Sequence, residues 1–314
     1  MAATNFADIV GSKEGLSEAL QLIVNETNKF SGSLSTTRIW NPLHEWQEDA
    51  IAEPADNKAA ESHTYADDAY VPTTRLGNYT QIMKKVISVS GTAQAVSLAG
   101  RADNELVRER RNRLKELARD LEYACISTHN PRVAGSNSTP GEFGNYATWM
   151  SANISVGVGG AAPTGQGTDA PTAGTSRDFT EAHLSEVLDS MYTNGADLQS
   201  GSYKILAQPA QIEAIRGFTG IANDVNTGAQ DATIYNSVSV YVSQYGRLMV
   251  EPEVLVKSTD VLIYTPDNWA IGELRALEVK EVPAVSDSTR FSMVRELTLI
   301  NRNRNGSGLI TDLN

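Results

Sequence analysis

The sequence predicts an α+β fold organised around one long helix. The run from Ala102 to Ile126 contains no Gly or Pro and is dense in Arg, Lys, Glu and Leu. Residues of these types favour helices, and at 1.5 Å per residue the run would form a rod of about 36 Å. Helix and strand patterns then mix between residues 178 and 265, and the C-terminal tail consists of successive extended runs. Together these patterns indicate helices and sheets packed in one folded chain.

The two halves of the predicted helix differ in character. Leu114, Leu117 and Leu121 recur at three- and four-residue spacing in the second half, which is the period of a helix with one buried face. Four arginines occupy the first half: Arg108, Arg110, Arg111 and Arg113. We therefore expect the C-terminal half to pack on its own domain and the N-terminal half to present a free basic surface.

The N-terminal third contains little self-sufficient structure. Residues 1–38 carry one short helix signal, Ser12 to Val24, and are expected to form an arm. Two extended runs follow, Trp40 to Ile51 and Arg75 to Ser90, and the second is typical of one long strand. Because a two-stranded ribbon is marginal alone in water, we expect it to lie on another element or on a neighbouring molecule.

The charges of this region suggest what the ribbon contacts. Acidic residues dominate from His44 to Pro72, whereas Lys and Arg dominate from Arg75 to Arg119. Complementary patches guide docking and fix register, so we expect the acidic segment to contact the helix arginines, across a subunit boundary. The acidic candidates for this contact are Glu45, Glu48, Asp49, Glu53, Asp67 and Asp68. The alternative, that both patches are simply solvated, stays open.

After the long helix comes a Gly-rich stretch, Val133 to Ser176, without periodicity. Loops of this length usually serve a function or an interaction. The elements predicted after it are a helix from Asp178 or Thr180 to Tyr192, a strand Tyr203 to Ala207, a helix opened by Pro209, a hairpin of Ser237 to Gln244 with Arg247 to Glu251, and a strand Val261 to Thr265.

The C-terminal tail is predicted to supply a sheet that covers the long helix. Its extended runs are AIGELRALEVKEV, RFSMVRELTLINR and GLITDL. The second run carries the apolar residues Phe291, Met293, Leu297 and Leu299. These side chains need a partner as much as Leu117 and Leu121 do, and each fully buried Leu would contribute about 1.5 to 3 kcal/mol.

Composition and motifs exclude several classes of function. A net charge of −12 argues against general affinity for nucleic acid, which depends on Lys and Arg at phosphates. The four histidines are scattered, and no metal, nucleophile-elbow or phosphate-loop motif is present, so no catalytic residue, metal or cofactor is predicted. The single cysteine, Cys125, lies on the apolar stripe and is expected to be buried and inert. No apolar run is long enough to span a membrane.

Four segments together resemble one known family. They are HEWQEDAIAEPADN, TRLGNYTQIMKKVISVSGTAQAV, a charged helix ending in LKELARDLEYA, and GVGGAAPTGQGTDAPTAGTSRDFTEAHL. In this order they are similar to the major capsid proteins of tailed bacteriophages with the Hong Kong 97 fold. The likeness extends from about residue 36 to the terminal strand, and it carries over no active site.

The resemblance implies a domain organisation. Residues 1–38 would be the N-terminal arm and 39–91 the extended E-loop hairpin. Residues 92–180 and 266–314 would form the P-domain, with its β-sheet and a spine helix at 102–126. Residues 181–265 would form the A-domain.

The resemblance also implies a structural function and not an enzymatic one. The chain would assemble with copies of itself, through hexamers and pentamers, into an icosahedral head enclosing double-stranded DNA. Portal, scaffold and decoration proteins are further candidate partners, and packaged DNA would be met without sequence-specific contacts. The implied location is the virion, assembled in the bacterial host cytoplasm, with no membrane partner. Two alternatives stay open, a phage tail or surface binding module and an enzyme with its site in the 133–176 loop.

Overall fold

Two β-sheets and one long helix form the body of the molecule. A computed structural model describes residues 28–52, 54–64, 67–95, 105–218, 240–283 and 286–314. The strands are β1 Ser35–Arg38, β2 Leu43–Glu48, β3 Thr74–Tyr79, β4 Gln81–Ser90, β5 Ile154–Ser155, β6 Lys204–Ala207, β7 Val240–Val242, β8 Arg247–Pro252, β9 Val261–Tyr264, β10 Trp269–Val282, β11 Ser288–Asn301 and β12 Gly308–Ile310. The helices are α1 Gly91–Ala95, α2 Glu105–Ile126, α3 Glu181–Thr193 and α4 Pro209–Arg216. The mixed α+β class predicted from the sequence is confirmed.

The first sheet has four strands in the order β1-β10-β11-β4, and the long helix α2 packs on it. Strands β10 and β11 form a long antiparallel pair that runs from Trp269↔Asn301 to Val282↔Arg290. Leu117 and Leu121 of α2 belong to the same buried cluster as Leu297 and Leu299 of β11. The predicted contact between the helix and the C-terminal sheet is therefore confirmed.

The distal part of this helix–sheet layer contains a second, smaller apolar cluster. Met293 of β11 is fully buried there with Ile87 and Val89 of β4, and the half-buried Leu114 of α2 packs against them. Alternation along β4 explains the contact, because every second side chain of a strand points to the same face. Phe291 is half-buried at the end of the layer, where the Arg110 guanidinium carbon lies 6.0 Å from its ring centroid.

The second sheet has six strands in the order β5-β12-β9-β6-β8-β7 and lies between two apolar cores. Ile205 and Ile263 point to the face covered by α3 and α4, whereas Leu206 and Leu262 point to the core that contains α2. Helix α3 follows Thr180 and ends before Gly195, whose φ of +88° suits a residue without a side chain. This helix, α4, β6, β9 and the β7–β8 hairpin were all predicted, and the predicted ends that lie in the described residues differ from the observed ones by at most three residues.

Two extended runs differ from their predictions. The run Arg75 to Ser90 is not one strand, because Thr80 separates β3 from β4 and places them in different sheets. The Thr80 N–H donates to Pro42 O at 2.8 Å, and the Thr80 hydroxyl donates to Glu296 Oε1 at 2.8 Å. Neither hydrogen bond belongs to the pairing of two strands. The run GLITDL does not join the sheet over α2; its strand β12 pairs with β5 and β9 in the six-stranded sheet.

The Gly-rich stretch 133–176 is irregular but packed, in contrast to an open loop. Tyr146 and Trp149 are 1% and 0% exposed, and Tyr146 stacks on Trp269 with ring centroids 4.8 Å apart. The Tyr146 hydroxyl donates to the carbonyl oxygens of Ile263 and Gly308 at 2.8 and 2.9 Å. This stretch therefore joins the two sheets, which its small-residue composition did not indicate.

Some predictions lie outside the described residues. These are the arm helix Ser12 to Val24, the first residues of the long helix at 102–104, the position of Glu53, and the start of the predicted strand at 237–239.

Candidate assembly surfaces

The segment that links β2 to β3 is the largest exposed extension of the described chain. Strands β2 and β3 pair antiparallel from Leu43↔Tyr79 to Glu48↔Thr74. Within 49–73, the described residues form no helix or strand, and all except Val71 are exposed. Ile51 and Tyr70 are 95% and 84% exposed. A segment that buries so little apolar surface on its own chain gains stability only by docking elsewhere.

The acidic candidates are divided between the base of this hairpin and its exposed part. At the base, Glu45 pairs with Arg75, and Glu48 accepts from Arg304 Nε at 2.8 Å. Further out, Asp49, Asp67 and Asp68 are exposed. Glu45 thus links the two strands of the hairpin, and Glu48 ties the hairpin to Arg304 in the C-terminal part of the chain.

The arginines of α2 are less free than predicted. Arg108 pairs with Glu105 and lies 2.6 Å from Glu109 Oε1. Arg113 lies 2.6 Å from Glu116 Oε1, and this hydrogen bond is the main cause that lowers the pKa of the Glu116 carboxyl. The expectation of a free basic surface was therefore wrong for Arg108 and Arg113, because glutamates three or four residues away on the same helix reach their guanidinium groups.

Arg110 and Arg111 are the exposed arginines of this group. The Arg110 guanidinium carbon lies 6.0 Å from the centroid of the Phe291 ring. A contact between the helix arginines and the acidic segment of a neighbouring subunit stays a prediction.

A pair of ionic contacts fixes α2 along the edge strand β4. Lys85 Nζ lies 2.7 Å from Asp120 Oδ2 and 3.7 Å from Glu116 Oε2. Lys85 lies on the helix-facing side of β4, between the apolar positions Met83 and Ile87. The contact therefore joins helix and sheet at the boundary between the two apolar clusters.

The chemistry of the described residues gives no catalytic or metal centre. No group of three or more His, Cys, Asp or Glu side chains that could hold a metal ion occurs within the described ranges. Cys125 is 1% exposed, and burial raises the pKa of its thiol well above the usual 9.0, so its predicted inert character is consistent with its site. Among the described helices, none combines the length and apolar character needed to cross a membrane.

The fold is that of phage capsid proteins. The chain matches the structure named "Cyanophage A-1(L) capsid asymmetric unit" with a TM-score of 0.68 and 12% identity, over 98% of both chains. It matches "Capsid of native GTA particle computed with C5 symmetry" with a TM-score of 0.62 and 14% identity, over 96% of this chain and 95% of the other. At these identities the likeness establishes the fold alone.

Sequence comparison then gives the family. The chain is 23% identical to the major capsid protein of Escherichia phage Phieco32, over 96% of this chain and 94% of the relative. The family model described as SU10 major capsid protein matches residues 2–314. The chain belongs to this family of phage major capsid proteins. Members of the family are structural proteins, so the chain is not an enzyme and the hypothesis of an active site in the 133–176 loop is dropped.

Proposed function

We propose that the chain is the shell-forming subunit of a tailed-phage head with the Hong Kong 97-type fold. Copies assemble through hexamers and pentamers into an icosahedral container for double-stranded DNA, in the cytoplasm of the bacterial host. The observation that carries the proposal is the exposed segment 49–73, which leaves Ile51 and Tyr70 almost fully exposed. Membership in a capsid family supports docking of this segment on another copy.

The proposal keeps the domain organisation that the sequence resemblance implies. Residues 1–38 are the N-terminal arm, 39–91 the E-loop, 92–180 and 266–314 the P-domain, and 181–265 the A-domain. Strand β4 is an edge strand of the four-stranded sheet that packs on α2. The C-terminal end of the E-loop segment is therefore anchored in the P-domain. The A-domain sheet takes β5 and β12 from the P-domain segments, which ties the two domains together.

The charge of the chain is compatible with a container. A net charge of −12 gives a wall with low general affinity for DNA, so packaged DNA would not be retained by counterion release at a basic surface. Portal, scaffold and decoration proteins are further partners of such a shell, and no surface of the described chain singles out one of them.

A shortened exposed segment tests the proposal. In a variant with residues 51–70 replaced by a short Gly-Ser linker, we expect the subunit to fold, because the described residues of this span are exposed and belong to none of the buried clusters. Shell formation should be lost, measured by sedimentation and electron microscopy. Thermal unfolding of the isolated subunit is the control and should be unchanged. Normal shells from this variant would show that the segment does not carry assembly.

A further inference from the structure

The root of the N-terminal arm, residues 28–34, is inserted into the body of the molecule. Phe30 is 0% exposed, and its ring centroid lies 4.9 Å from Tyr264, 5.7 Å from Tyr146 and 5.8 Å from Trp269. These three residues come from β9, the Gly-rich stretch and β10. A short segment of the arm is thus held in an aromatic socket built from both sheets.

Two carboxylates bind the backbone of the same segment. The N–H groups of Phe30 and Ser31 donate to Glu122 Oε1 and Oε2 at 2.8 and 2.7 Å. The N–H of Lys29 donates to Glu253 Oε2 at 3.3 Å. Three successive backbone amides of the arm root therefore donate to two carboxylates, Glu122 on α2 and Glu253 in the loop after β8.

Both carboxylates are buried without a cationic partner. Glu122 is 0% exposed and Glu253 is 2% exposed. Across the described parts of the chain, neither forms an ion pair with a Lys, Arg or His. A buried ionised carboxylate without such a partner is costly even when N–H groups satisfy its oxygens.

Other titratable groups of the described chain lie around the pair. Tyr264 lies beside both carboxylates, and its hydroxyl is 3.1 Å from Ser33 Oγ. The negative charge of Glu251 raises the pKa of the Tyr264 hydroxyl, and Glu251 Oε1 itself lies 3.0 Å from Lys204 Nζ. On the other side, the charge of Glu122 raises the pKa of the Cys125 thiol on α2, whereas the charge of Arg295 on β11 lowers it.

Proton binding and arm docking are linked by this geometry. Burial, the largest cause, raises the pKa of the Glu122 carboxyl above its ordinary 4.5, and the charge of Glu253 raises it further, against the opposing effect of the Ser31 and Phe30 donors. If the arm root leaves, both Glu122 oxygens lose their donors and meet water, so the pKa returns toward its ordinary value. The docked state therefore binds the proton more tightly, and docking strengthens as pH falls through the raised pKa.

We propose that Glu122 and Glu253 form a proton-sensitive seat for the arm root. The seat holds residues 28–34 less tightly when Glu122 is ionised and more tightly when Glu122 takes up a proton, and the neighbouring charge of Glu253 favours that proton uptake. This device belongs to the single subunit and does not depend on the proposed shell.

Hydrogen–deuterium exchange of the full-length chain tests the seat. Exchange of peptides covering 28–38 is measured at a series of pH values from mildly acidic to mildly basic and corrected for intrinsic exchange rates. Peptides from α3 serve as the internal reference, and sedimentation shows that the assembly state is the same at each pH. We expect protection of the arm root to rise on acidification by up to about tenfold for each unit of pKa difference between the docked and undocked states, while α3 changes little.

Three variants separate the seat from general effects of charge. Glu122→Gln and Glu253→Gln keep the side-chain shape but cannot ionise, and Glu213→Gln changes an exposed glutamate of α4 as the matched control. We expect the pH dependence of arm protection to be lost in Glu122→Gln, weakened in Glu253→Gln because Glu122 then has no charged neighbour, and kept in Glu213→Gln. If Glu122→Gln does not fold, Glu253→Gln carries the test. Protection that is constant or falls on acidification in the wild type, or that keeps its full pH dependence in both seat variants, would overturn the proposal.

Discussion

Gly167 lies so close to the indole of Trp149 that a Cβ added to it would be 2.7 Å from Cζ2. Its φ is +73°, a conformation that favours glycine. The Gly167 N–H donates to Thr148 O at 3.3 Å, and its carbonyl accepts from Arg132 N at 2.7 Å. Gly167 is therefore a close-packing position against a buried tryptophan, which helps to explain how an irregular segment can fill a core.

Gly167→Ala should destabilise the subunit by more than backbone strain alone. Gly195 provides the matched control, because its φ is +88° but nothing lies within 4 Å of an added Cβ. We expect Gly195→Ala to cost about 1 kcal/mol, as strain in the left-handed region does, and Gly167→Ala to cost at least twice that. Urea unfolding measures both free energies. Equal losses for the two variants would show that the contact with Trp149 is not tight.

Leu121→Ala should lower the free energy of unfolding by about 2 to 5 kcal/mol, because the side chain is 4% exposed in the main core. Leu121→Asp should abolish folded soluble subunits, since an unpaired buried charge is costlier than a cavity. Val107→Ala on the same helix is the control, because Val107 is 53% exposed, and it should change stability by less than about 0.5 kcal/mol. Normal stability of the Leu121 variants would refute the placement of this helix face in the core.

Cys125 should resist thiol reagents in the folded subunit. Burial raises the pKa of the thiol well above the usual 9.0. The reactive thiolate is therefore scarce in the native state. At mildly basic pH, below the usual thiol pKa of 9.0, labelling should be slow in buffer and fast after unfolding in guanidinium. Rapid labelling of the native subunit would contradict the burial of this helix face.

Charge reversal tests the predicted contact between the helix and the acidic segment. Arg110→Glu with Arg111→Glu should impair assembly more than folding, whereas Arg113 is a poor choice because it is paired with Glu116 on its own helix. Adding Asp67→Lys and Asp68→Lys should restore assembly in part, since the charges are then complementary again. Arg216→Glu is the control, because it reverses the charge of an exposed arginine on α4, outside the predicted contact. Shells that form with unchanged yield and salt sensitivity from the doubly reversed helix would exclude this contact.

Periodicity in the sequence was sufficient to predict most of the individual elements. Leu117 and Leu121 repeat at helical spacing, and the residues flanking α3, Thr180 and Gly195, mark its start and end. These signals are local, so they can be read without knowing which elements meet in space.

Features that depend on tertiary contacts were missed. The break at Thr80 follows from a hydrogen bond to Glu296, and the placement of β12 in the second sheet follows from pairing with β9. The burial of Glu122 had one available signal, because the residue lies beside Leu121 and Cys125 on the helix stripe. A charged residue at such a position is normally assigned to the surface, and only its distant donors in the arm root explain its burial.

Electron microscopy of the purified protein shows whether the chain builds shells. We expect closed shells, or hexameric and pentameric rings, when the protein is expressed alone or together with a scaffold protein, and these particles should be lost when residues 51–70 are replaced. A folded protein that stays monomeric at high concentration under assembly conditions, with neither rings nor shells, would contradict this expectation.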